Sequence, residues 1–288
     1  MRSDFACFIL CHGRPNNTPT FSTLRKYGYT GAIYIICDDE DKTLQEYRNI
    51  YGYDIVKVFN KLDILQKFDT MDSSDNRGCA VYARNACFDI AKELGIRYFC
   101  ELDDDYIDFQ LRYPNENKLK LVYPHSLDDV FDAYLDFYIE SGITALAMAQ
   151  GGDFIGGLNG NGYKKRVHRK CMNSWFCDVQ KRFYFNGRMN DDVNTYTLLG
   201  SRGDVFLTLV DCMITQPDTQ TVKGGMTDMY SGEGTYVKSF YTVMCCPSFA
   251  KVNIMGDGHY RIHHNINQNN AYPKIISSKY RKEKDIEL

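Results

Sequence analysis

An α/β fold, with helices on both faces of a mainly parallel sheet, is predicted for this chain by three observations in its first hundred residues. Short apolar runs alternate with helix-period segments, several of those segments close on glycine, and polar residues gather where the apolar runs end. In open sheets of this kind ligands bind beyond the carboxyl ends of the strands, so the third observation marks a site as well as a fold.

Phe5 to Cys11 reads as the first strand, and Asn17 to Tyr27 as a helix before the turn residues Gly28 and Gly31. Ala32 to Cys37 is the second strand, Lys42 to Tyr51 a helix stopped by Gly52, and Ile55 to Phe59 the third strand. Cys79 to Leu94 carries Ala80, Val81, Ala83, Cys87, Phe88, Ala91 and Leu94 on one helical stripe, with Gly95 as its stop. Tyr98 onward is the fourth strand and runs into three consecutive aspartates, Asp103, Asp104 and Asp105. Ser126 and Asp129 have capping-box spacing ahead of a stripe that ends at Ser141 and Gly142, and Ile143 to Ala149 is a further strand. The second half is less regular: a glycine-rich run from Gly151 to Gly162, a basic island, a helix from Asp191 to Gly200, alternation from Val205 to Met213, and a loop from Gln216 to Gly234. No stretch has the composition of a linker and no repeat is present, so the expectation is one domain over 1–288 with an elaborated C-terminal half.

The composition is that of an ordinary globular protein, 44% hydrophobic and 25% charged, with 22 tyrosines whose amphipathic rings suit a surface that handles sugars or bases. No apolar run approaches the length that spans a bilayer and the N-terminus lacks a signal-peptide pattern, so no membrane partner is expected. The 11 cysteines are odd in number, and several sit inside apolar patterns as small hydrophobes. That usage indicates a reducing compartment, the cytoplasm. The net charge of -3 conceals an asymmetry. Glu101 to Asp153 holds twelve acidic and three basic residues, and Gly160 to Arg188 holds eight basic and one acidic. A basic island beside an acidic one suits a protein that holds a polyanion near a charged reaction centre.

Carboxylates crowded at a strand end repel unless a cation lies between them. Alternation along a strand puts Asp103 and Asp105 on one side and Asp104 on the other, making the first two candidate ligands for Mg2+ or Mn2+. A solvated turn or a helix cap is the competing account of three aspartates. Arg77 and Arg84, seven apart, share a face if the helix extends that far, and planar guanidinium groups suit a diphosphate. Asn190, Asp191 and Asp192 open a helix, and one of the two acids is a candidate general base, Asp192 being favoured. Three of the six histidines fall between His259 and His264, where imidazole can complete a metal shell.

These segments in this order carry a resemblance. CHGRPNNTPTFSTLRKYGYTG, FDTMD, VYARNACFDIAKELG, LDDDY, GRMNDDVNTYTLLGSRG, KGGMTDMY, GTYVKSFYTVM and RIHH through PKIISSKYRK resemble the phage TET-associated glycosyltransferases, within the GT-A nucleotide-sugar glycosyltransferases. The resemblance covers nearly the whole chain. It implies a GT-A-like, Rossmann-type mixed sheet flanked by helices. It also implies transfer of a sugar from a nucleotide donor, UDP-glucose or UDP-arabinose, to 5-hydroxymethylcytosine or a related hydroxymethylpyrimidine in DNA, inside an infected bacterial cell. By the same resemblance Asp103 and Asp105 match the D-x-D metal site, and His263 or His264 its C-terminal ligand. Asp38 or Asp39 matches the carboxylate beneath the base, with Gly13, Arg14, Arg77, Arg84 and Asp104 around the donor. Asp192, with Asp191 beside it, matches the acidic motif that supplies the base of inverting members. Lys164, Lys165, Arg166, Arg169, Lys170, Lys181 and Arg182 are candidates for the DNA backbone, where phosphate contacts hold register without reading sequence. A metal-dependent phosphoesterase or nuclease, and a non-catalytic DNA-binding relative, are the alternatives from other classes.

Overall fold

A strand whose side chains are all apolar must be covered on both faces, and β1 (Phe5–Leu10) is. Ala6, Phe8 and Leu10 pack into one core while Phe5, Cys7 and Ile9 pack into a second on the other side. The computed structural model describes residues 1–168, 170–217, 226–256 and 260–273. Its first half follows the expected alternation, with one short helix, α3, that was not expected: α1 (Pro19–Lys26), β2 (Ala32–Asp38), α2 (Leu44–Tyr51), β3 (Val56–Phe59), α3 (Lys61–Leu65), α4 (Val81–Glu93) and β4 (Tyr98–Asp103). Then come the hairpin β5 (Asp108–Asn115) and β6 (Lys118–Val122), α5 (Leu127–Ser141), β7 (Ala145–Ala149), α6 (Asn161–Lys164), β8 (Ser174–Asp178), α7 (Asp191–Gly200) and β9 (Phe206–Thr215). The last described elements are α8 (Met226–Cys245), β10 (Ala250–Met255), β11 (Arg261–Ile266) and α9 (Gln268–Ala271). α8 is interrupted at Gly234, whose backbone leaves the helical region.

Among the described residues nine strands form one sheet in the order β3-β2-β1-β4-β8-β7-β9-β5-β6, and β10 pairs with β11 separately. The four strands on the β3 side are mutually parallel. Beyond them β8 runs antiparallel to both β4 and β7, so the sheet is mixed rather than mainly parallel. β8 has no separate signal of its own because Ser174 to Asp178 is short and sits inside the basic island. Its five residues are all buried, and Phe176 stacks on Phe5 across the sheet. The β5–β6 hairpin is likewise unpredicted, since Asp108 to Val122 mixes charged with apolar residues and its strands lie at the sheet edge. Part of the expected loop from Gln216 to Gly234 is helical, whereas 218–225 lie outside the described residues.

α4 and α7 cover one face and α1, α2 and α5 the other. Phe88 of α4 meets Phe99 of β4 edge-on at 5.0 Å, and Phe99 stacks on Phe8 of β1 at 5.2 Å. Each fully buried ring of this kind contributes about 1.5–3 kcal/mol by leaving water. The series ties the helix before the triple aspartate to the strand that ends in it. α5 starts where Ser126 accepts the Asp129 N–H at 3.2 Å, as its spacing indicates. All 11 cysteines are free, and ten are buried. Among the described residues no helix is long and apolar enough to cross a membrane.

Candidate functional site

β1, β2 and β4 are parallel, so their carboxyl ends meet at one edge of the sheet, where a cavity of about 380 Å³ opens. His12 and Arg14 after β1, Asp38 at the end of β2 and Asp103, Asp104 and Asp105 after β4 all line it. Asp191 and Asp192 at the start of α7, Lys170, and His263 and His264 on β11 complete the wall. The three strand-end clusters thus share one crevice. Spacing along the chain does not reveal that the tail strand joins them.

The four acids from the end of β2 onward are each held differently. Asp38, 4% exposed, accepts from His12 Nδ1 at 2.7 Å and pairs with Lys61 Nζ at 2.9 Å. Asp39 points out of the cavity, accepting the Lys61 N–H at 3.0 Å and the Asn60 amide at 2.6 Å where α3 begins. Glu40 takes Arg77 at 2.6 Å, and Asp41 accepts the Gly13 N–H at 2.9 Å. Of the pair Asp38 and Asp39, only Asp38 lines the cavity. Gly13 and Arg77 do not line it either: the glycine, at φ +71°, forms the turn after β1, and Glu40 draws Arg77 away. α4 starts at Val81, so Arg77 precedes the helix and shares no face with Arg84.

His12 and Lys61 were not singled out from the sequence, and only the polar run after the first strand signalled the histidine. The hydrogen bond to Asp38 raises the pKa of His12 above its ordinary value. Burial pushes Asp38 up, but His12 and Lys61 outweigh it and hold the carboxyl below its usual range. The histidine's stabilisation is full below its unfolded pKa of about 6.5 and is lost as pH rises through the raised folded value. The aspartate's is present above about 3.9 and is lost as pH falls through the lowered one. The Tm difference between wild type and His12→Ala is therefore expected to be widest near pH 5 to 6 and to narrow at higher pH. A difference that stays constant from pH 5 to 9 would contradict the pairing.

Arg84 is 4% exposed and does not stand free for a diphosphate. Its guanidinium lies 3.1 Å from Asp103, 2.9 Å from Asp191 and 3.7 Å from Glu101. It is the cation that allows three acids from β4 and α7 to sit together, and Glu101, fully buried, is the member that sequence reading passed over. Burial pushes Asp191 up to about 7 and also raises Asp192. Asp192 accepts the N–H of Val193 at 2.7 Å and, among the described residues, forms no ion pair. Asn190 holds the start of α7 in a left-handed turn, φ +53°, and its amide donates to Lys238 O at 2.8 Å and Thr242 Oγ1 at 3.1 Å of α8. Below this point Arg188, 1% exposed, pairs with Asp72 at 2.8 Å, which explains FDTMD as an anchor for the loop ahead of α4.

β4 stops at Asp103, so strand alternation does not extend through the triple aspartate. Asp104, 2% exposed, turns to Arg14 at 2.5 Å. Burial raises Asp104 to about 7 and Asp105 to about 6, and neighbouring acids add to both shifts. Asp105 Oδ1 and His264 Nδ1 are buried without a hydrogen-bond partner. Burial lowers His264 to about 3, leaving the imidazole neutral, the form that ligates metals. Among the described residues no three such side chains are gathered closely enough to hold an ion alone. The donor set still fits Mg2+ or Mn2+, which is commonly bound by one or two carboxylates together with substrate phosphates and water.

The basic island divides. Lys170 lines the cavity, and Lys164, Lys165 and Arg166 are exposed near the end of α6, with Arg166 stacked 4.3 Å over Tyr163. Arg169 lies outside the described residues. Lys181 and Arg182 follow β8, which runs antiparallel to β4, so they sit at the amino-terminal end of β4, roughly 15 Å of strand away. There Arg182 pairs with Asp89, and both basic residues line a different cavity of about 740 Å³. His259 and most of PKIISSKYRK also lie outside the described residues.

A family model described as TET-associated glycosyltransferase matches residues 5–225. No curated protein matches the chain in sequence. Among solved structures the chain is similar to glucosyl-3-phosphoglycerate synthase from Mycobacterium tuberculosis in complex with Mg2+ and uridine diphosphate. The TM-score is 0.46 and the identity 8%, over 91% of this chain and 87% of that one. It is also similar to a mannosyltransferase from Pyrobaculum calidifontis in complex with GDP-Man and Mn2+, with TM-score 0.46 and 10% identity, over 76% and 59% of the two chains.

Proposed function

The chain belongs to the TET-associated glycosyltransferase family, and from that premise we propose that it moves a sugar from a nucleotide donor to a hydroxymethylated pyrimidine in phage DNA. The observation that carries the reading is that Asp38, the triple aspartate and the Asp191–Asp192 pair line one cavity at the carboxyl ends of parallel strands. On this reading 1–106 supplies the nucleotide side and 107–288 the acceptor side of a single domain. UDP-glucose and UDP-arabinose are the donors of choice.

The nucleoside lies toward Asp38, which His12 and Lys61 hold in place. Arg14 is the guanidinium for the diphosphate: it lines the cavity and, although one nitrogen holds Asp104, its side chain is 21% exposed where that of Arg84 is 5%. Asp103 and Asp105, with His264 or His263, would hold a divalent cation, which when bound would offset the negative charge on the leaving diphosphate. The hydroxymethyl oxygen of the acceptor bonds to the anomeric carbon as the bond from that carbon to the β-phosphate oxygen breaks, and the electron pair leaves with the nucleoside diphosphate. Asp192 receives the hydroxyl proton. One direct displacement inverts the anomeric configuration, and NMR of the product linkage reads it. Lys164, Lys165, Arg166 and Lys170 meet the DNA backbone on the cavity side.

Incubating the protein with 5-hydroxymethylcytosine DNA, Mn2+ and a panel of UDP-sugars, then weighing the nucleosides by mass spectrometry, tests the proposal. One nucleoside is expected to gain the mass of one sugar. Addition to a small molecule or protein, with none to DNA, removes the acceptor assignment. Release of phosphate from the DNA favours the phosphoesterase.

A further inference from the structure

The glycine-rich run between β7 and α6 has no role in the mechanism above, yet it is built tightly around one side chain. Gln150, the residue after β7, lines the cavity together with Lys170 and Asn173. Its backbone N–H donates to Asp153 Oδ2 at 3.0 Å, and the Asp153 N–H donates in return to the backbone oxygen of Gln150 at 2.9 Å. This reciprocal pair fixes the backbone from which the side chain leaves. The side-chain Nε2 is buried with no hydrogen-bond partner.

The glycines hold this arrangement. A Cβ on Gly162 would stand 2.4 Å from Asp153 O, and one on Gly160 would stand 2.0 Å from Ile155 O. Only glycine permits the chain to fold back so closely on Asp153, and Asp153 in turn orients Gln150. A buried donor left unsatisfied is costly, and such groups in native structures call for an explanation. Its position supplies one. β8 separates β7 from β4 in the sheet, so Gln150 stands two strand spacings, roughly 10 Å, to the acceptor side of the triple aspartate.

We propose that Gln150 is a specificity-determining residue for the acceptor, its Nε2 donating to a hydroxyl or carbonyl oxygen of the molecule that receives the sugar. This rests on the transferase reading above and adds the group that orients its second substrate. The test measures sugar transfer to 5-hydroxymethylcytosine DNA by Gln150→Glu, which keeps the shape of the side chain but has no donor, and by Gln150→Ala, which adds no charge. Thermal unfolding establishes that each is folded. For both variants KM for the DNA is expected to rise about 10- to 100-fold, the range for a lost hydrogen bond in a buried site, while KM for the nucleotide sugar stays within about twofold. Acceptor KM unchanged in a folded variant overturns the role of Gln150 and leaves the transferase reading standing. Equal rises in both KM values also overturn it, since a distorted cavity would produce them. No transfer by the wild type overturns both.

Discussion

Arg84→Met is expected to lower stability by about 3–5 kcal/mol, the usual result of removing one partner from a buried ionic cluster. The guanidinium is desolvated, which opposes its charge, yet Asp103, Asp191 and Glu101 together hold its pKa above the ordinary value. Methionine fills similar volume but leaves a fully buried glutamate and two further acids without the cation between them. Urea denaturation followed by circular dichroism measures the loss. Adding Glu101→Gln to the variant should recover part of it, because the glutamine places no charge in that interior. A loss below about 1 kcal/mol, or no recovery in the double variant, would show that the cluster is not held by Arg84.

Asp192→Asn is expected to cut sugar transfer by about 10²- to 10⁴-fold with little change in stability, the range for losing a general base. Asp191→Asn should do something different. Asp191 faces the Arg84 Nε at 2.9 Å, so its amide variant loses an ion pair and should be less stable as well as slower. Asp192 forms no ion pair among the described residues and has the Val193 N–H as its hydrogen-bond donor, so its loss unbinds no other element. Steady-state rates and thermal unfolding of both variants separate the two roles. If Asp191→Asn is the more damaging to rate and leaves Tm unchanged, the base is Asp191.

Much of 1–106 was legible because its signals are local. Apolar runs of strand length, helix-period stripes and glycine stops lie within a dozen residues of one another, and they bounded the elements through β4 to within two or three residues, except the five-residue α3, which they missed. The elements past β4 were less legible. β8 is five residues long and takes its identity from the two strands that flank it, and β5 with β6 is an edge hairpin of mixed polarity. Such segments become strands through their neighbours rather than through their own periodicity.

The site divides along the same line. Sequence by itself identified the acids after the second and fourth strands, the NDD segment, the tail histidines and the family, because residue type and order carry that information. Which of those groups are available to a ligand was decided only by tertiary packing. Asp39 turns to α3, Arg77 to Glu40 and Arg84 into the acid cluster, while Asp104 takes Arg14. The partners of Lys61, Glu101, Arg188 and Gln150 were equally invisible, and Arg188 and Asp72 stand 116 residues apart. The physical reason is that a charged side chain buried on folding must find an opposite charge or a hydrogen-bond donor within about 3 Å, and chain folding, not spacing in the sequence, determines which group is there.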